Sequence, residues 1–173
     1  MTTKDRQLQH HEHKQSSASK TAIYFLLHDI ESPSNVGAIF RCADALGCQH
    51  IYLSGSTAAP PNRKLRKASR SAELYVSYSQ HQSYQEVFEI LNTSKITTAA
   101  LELSLQSEAI ANFQKKPDSM GICLIPGSEN HGLDNELLNA CEAAVHIPMR
   151  GKNSSMNLAT ACAIAAYQLS TLD

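Results

Sequence analysis

The stretch Ile147-Pro148-Met149-Arg150-Gly151-Lys152-Asn153-Ser154-Ser155-Met156-Asn157-Leu158-Ala159-Thr160-Ala161 passes from apolar residues through a polar glycine loop into a run of small residues. That order reads as strand, loop and helix. A helix N-terminus leaves backbone N–H groups without intrahelical partners, and here the Ser155 hydroxyl and the Asn157 amide join them. Such a cluster can hold a polar ligand, although strand–loop–helix turns are common and this one alone names none. Two distant segments carry complementary chemistry. His28 to Asp44 places Asn35 where a helix begins and Arg41 behind it, off the apolar face of Val36, Ile39, Phe40 and Ala43. Leu124 to Leu133 offers glycines that let backbone approach a ligand closely, together with the acid Glu129. Taken singly, Arg41 reads as a solvated helix cation and Glu129 equally as a helix-capping acid.

The elements that must position these residues alternate in type. Ile23–Leu27, Ile51–Leu53, Leu74–Tyr78, Ile96–Leu101, Gly121–Ile125 and Ala144–Ile147 read as short buried strands. Asn35–Leu46, stopped by Gly47, Tyr84–Leu91, Leu133–Ala140 and Ser155–Leu169 read as helices, and Pro61–Ala72 as a basic loop leading to a short helix. A weaker segment runs on to Phe113. Strands separated by helices predict a parallel-sheet α/β sandwich. In such sheets ligands bind beyond the carboxyl ends of the strands. The loops His28–Asn35, Pro126–Gly132 and Pro148–Ser154 all leave such ends and are expected to converge.

Composition narrows the class. The 173 residues are 42% hydrophobic with a net charge of −1, which predicts one globular domain with no global pull toward nucleic acid or membrane. No apolar run approaches the length of a membrane helix, no signal peptide is evident, and a cytosolic location is expected. The five cysteines include no C-x-x-C pair, so Cys42, Cys123 and Cys162 read as small core residues and no metal is expected. Residues 1–20 are polar and read as a mobile tail preceding a domain over 21–173. Its His10, His11 and His13 admit a metal reading, and Lys4, Arg6, Lys14 and Lys20 a polyanion-contacting one.

Together, the three segments read N-x-G-x-x-x-R (Asn35 to Arg41), G-x-E-x-x-G-L (Gly127 to Leu133) and S-x-N-x-[AS]-x-A (Ser155 to Ala161). In this order, over Tyr24 to Leu169, they resemble the SpoU/TrmH branch of the SPOUT RNA methyltransferases. The resemblance implies transfer of a methyl group from S-adenosyl-L-methionine to a ribose 2′-hydroxyl of RNA. It also implies a C-terminal deep trefoil knot and a homodimer packed on its terminal helices. Carried onto this chain, it makes Arg41 the main catalytic residue, reaching the partner subunit's cofactor. Asn35 would orient Arg41, Glu129 would steady the arginine or the loop, and Ser155 and Asn157 would position substrate. Cofactor contacts, mostly backbone, fall on Leu101, Gly127, Ile147, Ser155 and Met156, with Ile125, Leu133 and Ile147 as apolar walls. Pro126 and Met156 depart from the family's usual residues, Pro126 at the adenine loop and Met156 by a volume-conserving swap.

Arg63, Lys64, Arg66, Lys67 and Arg70 crowd cations into eight residues, with Leu65 and Ala68 interleaved. A solvated face is the plain reading; within a methyltransferase they form an RNA phosphate patch. The absence of an appended RNA-binding domain points to tRNA rather than rRNA as substrate. Two other classes remain open: a knotted module that binds RNA without chemistry, and a nucleotide-dependent oxidoreductase. The latter is opposed by the absence of G-x-G-x-x-G after the first strand.

Overall fold

The computed structural model describes residues 21–152 and 155–172. The expectations for the N-terminal tail, and for Asn153 and Ser154, lie outside the described residues. Among the described residues there are seven strands, β1 (Ile23–His28), β2 (His50–Ser54), β3 (Tyr78–His81), β4 (Ile96–Leu101), β5 (Glu108–Ala109), β6 (Gly121–Pro126) and β7 (Ala143–His146). They form one sheet in the order β3-β2-β1-β6-β4-β7-β5, and every pairing is parallel. The helices are α1 (Pro33–Leu46), α2 (Arg63–Ser69), α3 (Tyr84–Thr93), α4 (Asn135–Ala140) and α5 (Leu158–Ser170).

Alternation along each strand sends side chains to opposite faces, and this divides the core in two. Phe25, Leu27, Ile122 and Leu124 pack with Val36, Ile39 and Phe40 of α1, Leu65 of α2 and Cys162 of α5. Leu26, Cys123 and Ile125 pack with Val87 and Leu91 of α3 and Leu137 of α4 on the other face. The sheet is therefore a layer between two helical layers, covered as parallel sheets require.

Several boundaries differ from the sequence reading by one or two residues, those of α1 and α4 among them, and three differences are larger. Leu74–Tyr78 is not a strand. Residues Ala72–Leu74 form a single 3-10 turn, and the strand begins at Tyr78. Leu74 is exposed, Val76 is buried with its N–H donating to Ala72 O at 3.0 Å, and Tyr78 opens the strand, so the apparent alternation spans a turn and a strand start. The last helix begins at Leu158 rather than Ser155, with Asn157 as N-cap. Finally, the segment through Phe113 carries β5, which pairs only with β7. The chain leaves β4 at Leu101, crosses to β5 at Glu108, and later returns as β7 between those two strands.

Candidate active site

Because β1, β6 and β7 run parallel, the loops that follow them emerge at one end of the sheet. There they enclose a cleft of about 360 Å³, within the range of small-molecule sites. Leu101, Gly127, Ile147, Ser155 and Met156 line it, as do Asn35, Glu129 and Asn157. Residues from all three sequence segments thus meet at a single wall.

A hydrogen-bonded chain joins them. Asn157 caps α5 through its Oδ1, which accepts from Thr160 N–H at 3.2 Å, leaving its amide nitrogen to donate. Asn157 Nδ2 donates to Asn35 Oδ1 at 3.1 Å, and Asn35 Nδ2 donates to Glu129 Oε1 at 2.8 Å. Glu129 also accepts the backbone N–H groups of Glu31 and Ser32, each at 3.2 Å. Helix α4 is capped instead by Asp134, whose Oδ1 accepts from Leu137 N–H at 2.7 Å. The capping alternative for Glu129 is therefore replaced: its carboxylate ties the loop after β6 to the loop before α1. Ser32 caps α1 by accepting from Asn35 N–H at 3.3 Å, with Pro33 at the first turn. Asn35 is consequently held through both backbone and side chain.

The glycines have separate tasks. Ser128 and Gly132 exchange backbone hydrogen bonds at 3.0 Å each, closing the 128–132 loop, and Gly132 adopts φ +68°. A Cβ on Gly127 would lie 2.2 Å from Glu102 Oε2 and 2.8 Å from Gly132 Cα. Glu102 therefore presses directly on this loop, and its Oε2 accepts from Leu133 N–H at 3.2 Å. It lines the cleft and was absent from the sequence reading. Gly37 of the first motif faces away from the cleft: a Cβ there would sit 2.3 Å from Leu65 O. Its task is to let the cationic helix α2 dock on α1.

Other predicted residues lie elsewhere. The Arg41 side chain is not part of this cleft. Arg41 is exposed on α1 beside a second groove of about 530 Å³ between α1 and α5, which shares Asn157 with the first. Leu133 is half-buried against the core on the α3/α4 face, and Ile125 is fully buried there. Neither side chain lines the cleft. Pro126 does line it, and it lies beyond the β1–β6 ladder, which stops at Leu124. Arg63, Lys64, Arg66, Lys67 and Arg70 are all exposed, while Leu65 is buried. Burial pushes the Cys42 thiol up to about 11 and those of Cys48 and Cys141 up to about 12. At neutral pH these thiols are protonated and poor nucleophiles. Among the described residues no helix is long and apolar enough to cross a membrane.

The SpoU rRNA Methylase family model matches residues 22–167. Over 159 residues the chain is 28% identical to the 23S rRNA (guanosine(2553)-2'-O)-methyltransferase RlmP of Bacillus subtilis (strain 168), covering 91% of this chain and 60% of that protein. Against RlmP and two further curated relatives, the chain spans between 57% and 61% of their length. The fold matches an AdoMet-bound rRNA methyltransferase from Sinorhizobium meliloti with TM-score 0.79 and 25% identity, over 88% of this chain and 57% of that one. It also matches a chain solved for the 2-OH methylation of C/U34 on tRNA, with TM-score 0.74 and 28% identity, over 86% of this chain and 94% of that one.

Proposed function

The chain belongs to the SpoU rRNA Methylase family, and from that premise we propose that it transfers a methyl group from S-adenosyl-L-methionine to a ribose 2′-hydroxyl of RNA. The observation that carries this reading is the Glu129–Asn35–Asn157 chain, which joins residues 94 and 122 apart in sequence at the rim of one cleft. The cleft suits the methyl donor. Leu101, Ile147 and Met156 offer apolar walls, and Gly127 and Ser155 expose backbone to a nucleoside. The carboxylates of Glu102 and Glu129 favour a cation such as a sulfonium. The donor supplies an activated methyl on a positively charged sulfur. Leu133 contributes through its backbone, which Glu102 holds.

The chain's own residues must align the hydroxyl and help its proton leave. A guanidinium does not release a proton at accessible pH, so Arg41 serves as an electrostatic partner. It binds the neighbouring phosphate and stabilises the developing alkoxide, whose proton passes to solvent water as the methyl moves from sulfur to the 2′-oxygen. Its place outside its own cleft supports service to the partner subunit's cleft in a homodimer, with α1 and α5 at the interface. The exposed Ile164 and Tyr167 of α5 support that surface. Asn35 orients the loop between the two sites, and Ser155 and Asn157 position the ribose. Support for a trefoil-knotted path comes from β7, which lies between strands already joined by residues 102–107. The cations Arg63, Lys64, Arg66, Lys67 and Arg70 meet RNA phosphates, and the five free cysteines fit a cytosolic site of action.

We favour tRNA as substrate, supported by the likeness to the chain solved for tRNA methylation; the likeness to RlmP favours rRNA as the second reading. Mass spectrometry of tRNA and rRNA nucleosides from a deletion strain separates them. Loss of a 2′-O-methyl nucleoside from tRNA is expected. Loss from rRNA alone moves the substrate, and loss from neither defeats the proposal.

A further inference from the structure

The cations of α2 stand around a groove of about 720 Å³ that they share with apolar residues. Pro60, Pro61 and Leu74 give it bare hydrocarbon walls, and Arg63, Arg66 and Lys67 line it beside them. Leu74 is 69% exposed, an apolar side chain left open among charges. Glu73 also lines the groove yet is only 7% exposed. Its Oε2 accepts a short hydrogen bond from Ser69 Oγ, and Arg66 Nε lies 4.0 Å from its Oε1.

A phosphate by itself gains nothing from two prolines and a bare leucine, and an apolar peptide gains nothing from three cations. A nucleotide carries both halves, an apolar base face and an anionic phosphate. Inside an A-form duplex each base is stacked on both faces, and sequence-specific recognition turns to unpaired bases for that reason. We infer that this groove seats an unpaired nucleotide of the RNA, with its base against Leu74, Pro60 and Pro61 and its flanking phosphates on Arg63, Arg66 and Lys67. The inference rests on the RNA-methylation reading above. The Glu73 carboxylate, held by Ser69 and facing Arg66, sets the orientation because it repels phosphate from its side of the groove. The close packing of α2 on α1 at Gly37, two residues beyond Asn35, ties the groove rigidly to the candidate site. A nucleotide held here registers the strand relative to the cleft.

Fluorescence anisotropy with a labelled unstructured RNA oligonucleotide and a blunt RNA duplex of equal length tests this. Leu74→Ala is expected to weaken single-strand binding about fivefold, the low end of base-stacking losses, with the salt slope and the duplex affinity unchanged. Leu74→Met, which keeps the apolar surface, is expected to bind as wild type. The double variant Arg63→Gln/Lys67→Gln should lower the single-strand salt slope by about 1.4, at about 0.7 per phosphate contact. Equal losses on strand and duplex, or no loss in Leu74→Ala, overturn the seated base. Dissociation of a dimer by Leu74→Ala in sedimentation would assign the groove to a second copy and overturn it as well. Titration with S-adenosyl-L-methionine separates the two readings. No heat, with the Leu74 effect intact, defeats methylation and leaves the groove standing; heat without the Leu74 effect defeats the groove alone.

Discussion

Where β1 and β2 end, His28 Nδ1 shares a hydrogen bond with Ser54 Oγ at 2.9 Å, and Asp29 Oδ1 accepts the N–H and hydroxyl of Ser56 at 2.7 and 3.0 Å. Thr57 Oγ1 donates to Leu27 O and accepts from Ile30 N–H, each at 3.0 Å. Where β6 and β7 end, Glu129, Asn35 and Asn157 are equally well bonded, yet they stand on the rim of an open cleft. Both regions hold an acid, a glycine at positive φ and several hydroxyls or amides. The first is closed on itself: a Cβ on Gly55 would meet Asp29 Oδ1 at 2.2 Å. The Ser56 N–H beside Asp29 holds its carboxyl below the usual value, against the opposing effect of burial. Polar residues at strand ends are thus common to structural turns and to sites, and empty space bounded by convergent segments distinguishes the two.

Substitutions should divide along the same line. The largest effect is expected from Arg41→Ala, which should slow methyl transfer by on the order of a thousandfold, within the usual range for removing a catalytic proton-handling or charge-stabilising group. Calorimetric affinity for S-adenosyl-L-methionine and the mass in solution should stay at wild type; full activity would remove Arg41 from the mechanism. Next, Gly127→Ala drives a methyl into Glu102 and Gly132 and should weaken donor affinity about tenfold, or about 1.4 kcal/mol. Gly55→Ala, strained at φ +62°, should instead cost about 1–2 kcal/mol of stability and leave donor affinity alone. If both variants fail by the same readout, the two regions are not functionally distinct.

Smaller effects sharpen the network itself. Asn157→Asp keeps an N-cap acceptor for α5 but removes the donor to Asn35, so transfer should fall about tenfold while thermal stability holds. A loss of stability as large as the loss of rate would make Asn157 purely structural. The smallest effect concerns acid. Asp29 has a depressed pKa in the folded chain, so its contribution to stability is present above the ordinary value of 3.8 and is lost as pH falls through the folded value. The melting-temperature gap between wild type and Asp29→Asn should therefore narrow below about pH 3.8, with no change in donor binding at neutral pH. A gap that widens in acid would refute the assignment.

The strands β1, β2, β4, β6 and β7 were readable because each is a short run centred on buried apolar residues, fully buried in β4 and β6 and reduced to Val145 in β7, and α1 because Gly47 closes it in the left-handed conformation. Leu74 to Tyr78 misled because its alternating apolar residues belong to different elements, an exposed turn residue, a buried connecting residue and the first residue of β3. Two-residue β5 exists only through its pairing with β7, which no local pattern announces. The motif residues Asn35, Glu129 and Asn157 stood out by type and order, but their mutual bonds depend on tertiary approach. Glu102 had no motif around it; its importance comes from two glycines that it touches across the cleft. The only available hint was an acid directly after a buried strand.

Methyl transfer to a ribose oxygen in this cleft is measured directly by following isotope-labelled methyl from S-adenosyl-L-methionine into RNA incubated with the purified protein. Alkaline hydrolysis then reads the position, because a methylated 2′-oxygen cannot attack the adjacent phosphodiester. Label is expected in an alkali-resistant dinucleotide with wild type, and almost none with Arg41→Ala. Label on a base, or no transfer into tRNA or rRNA despite measurable donor binding, would contradict ribose methylation.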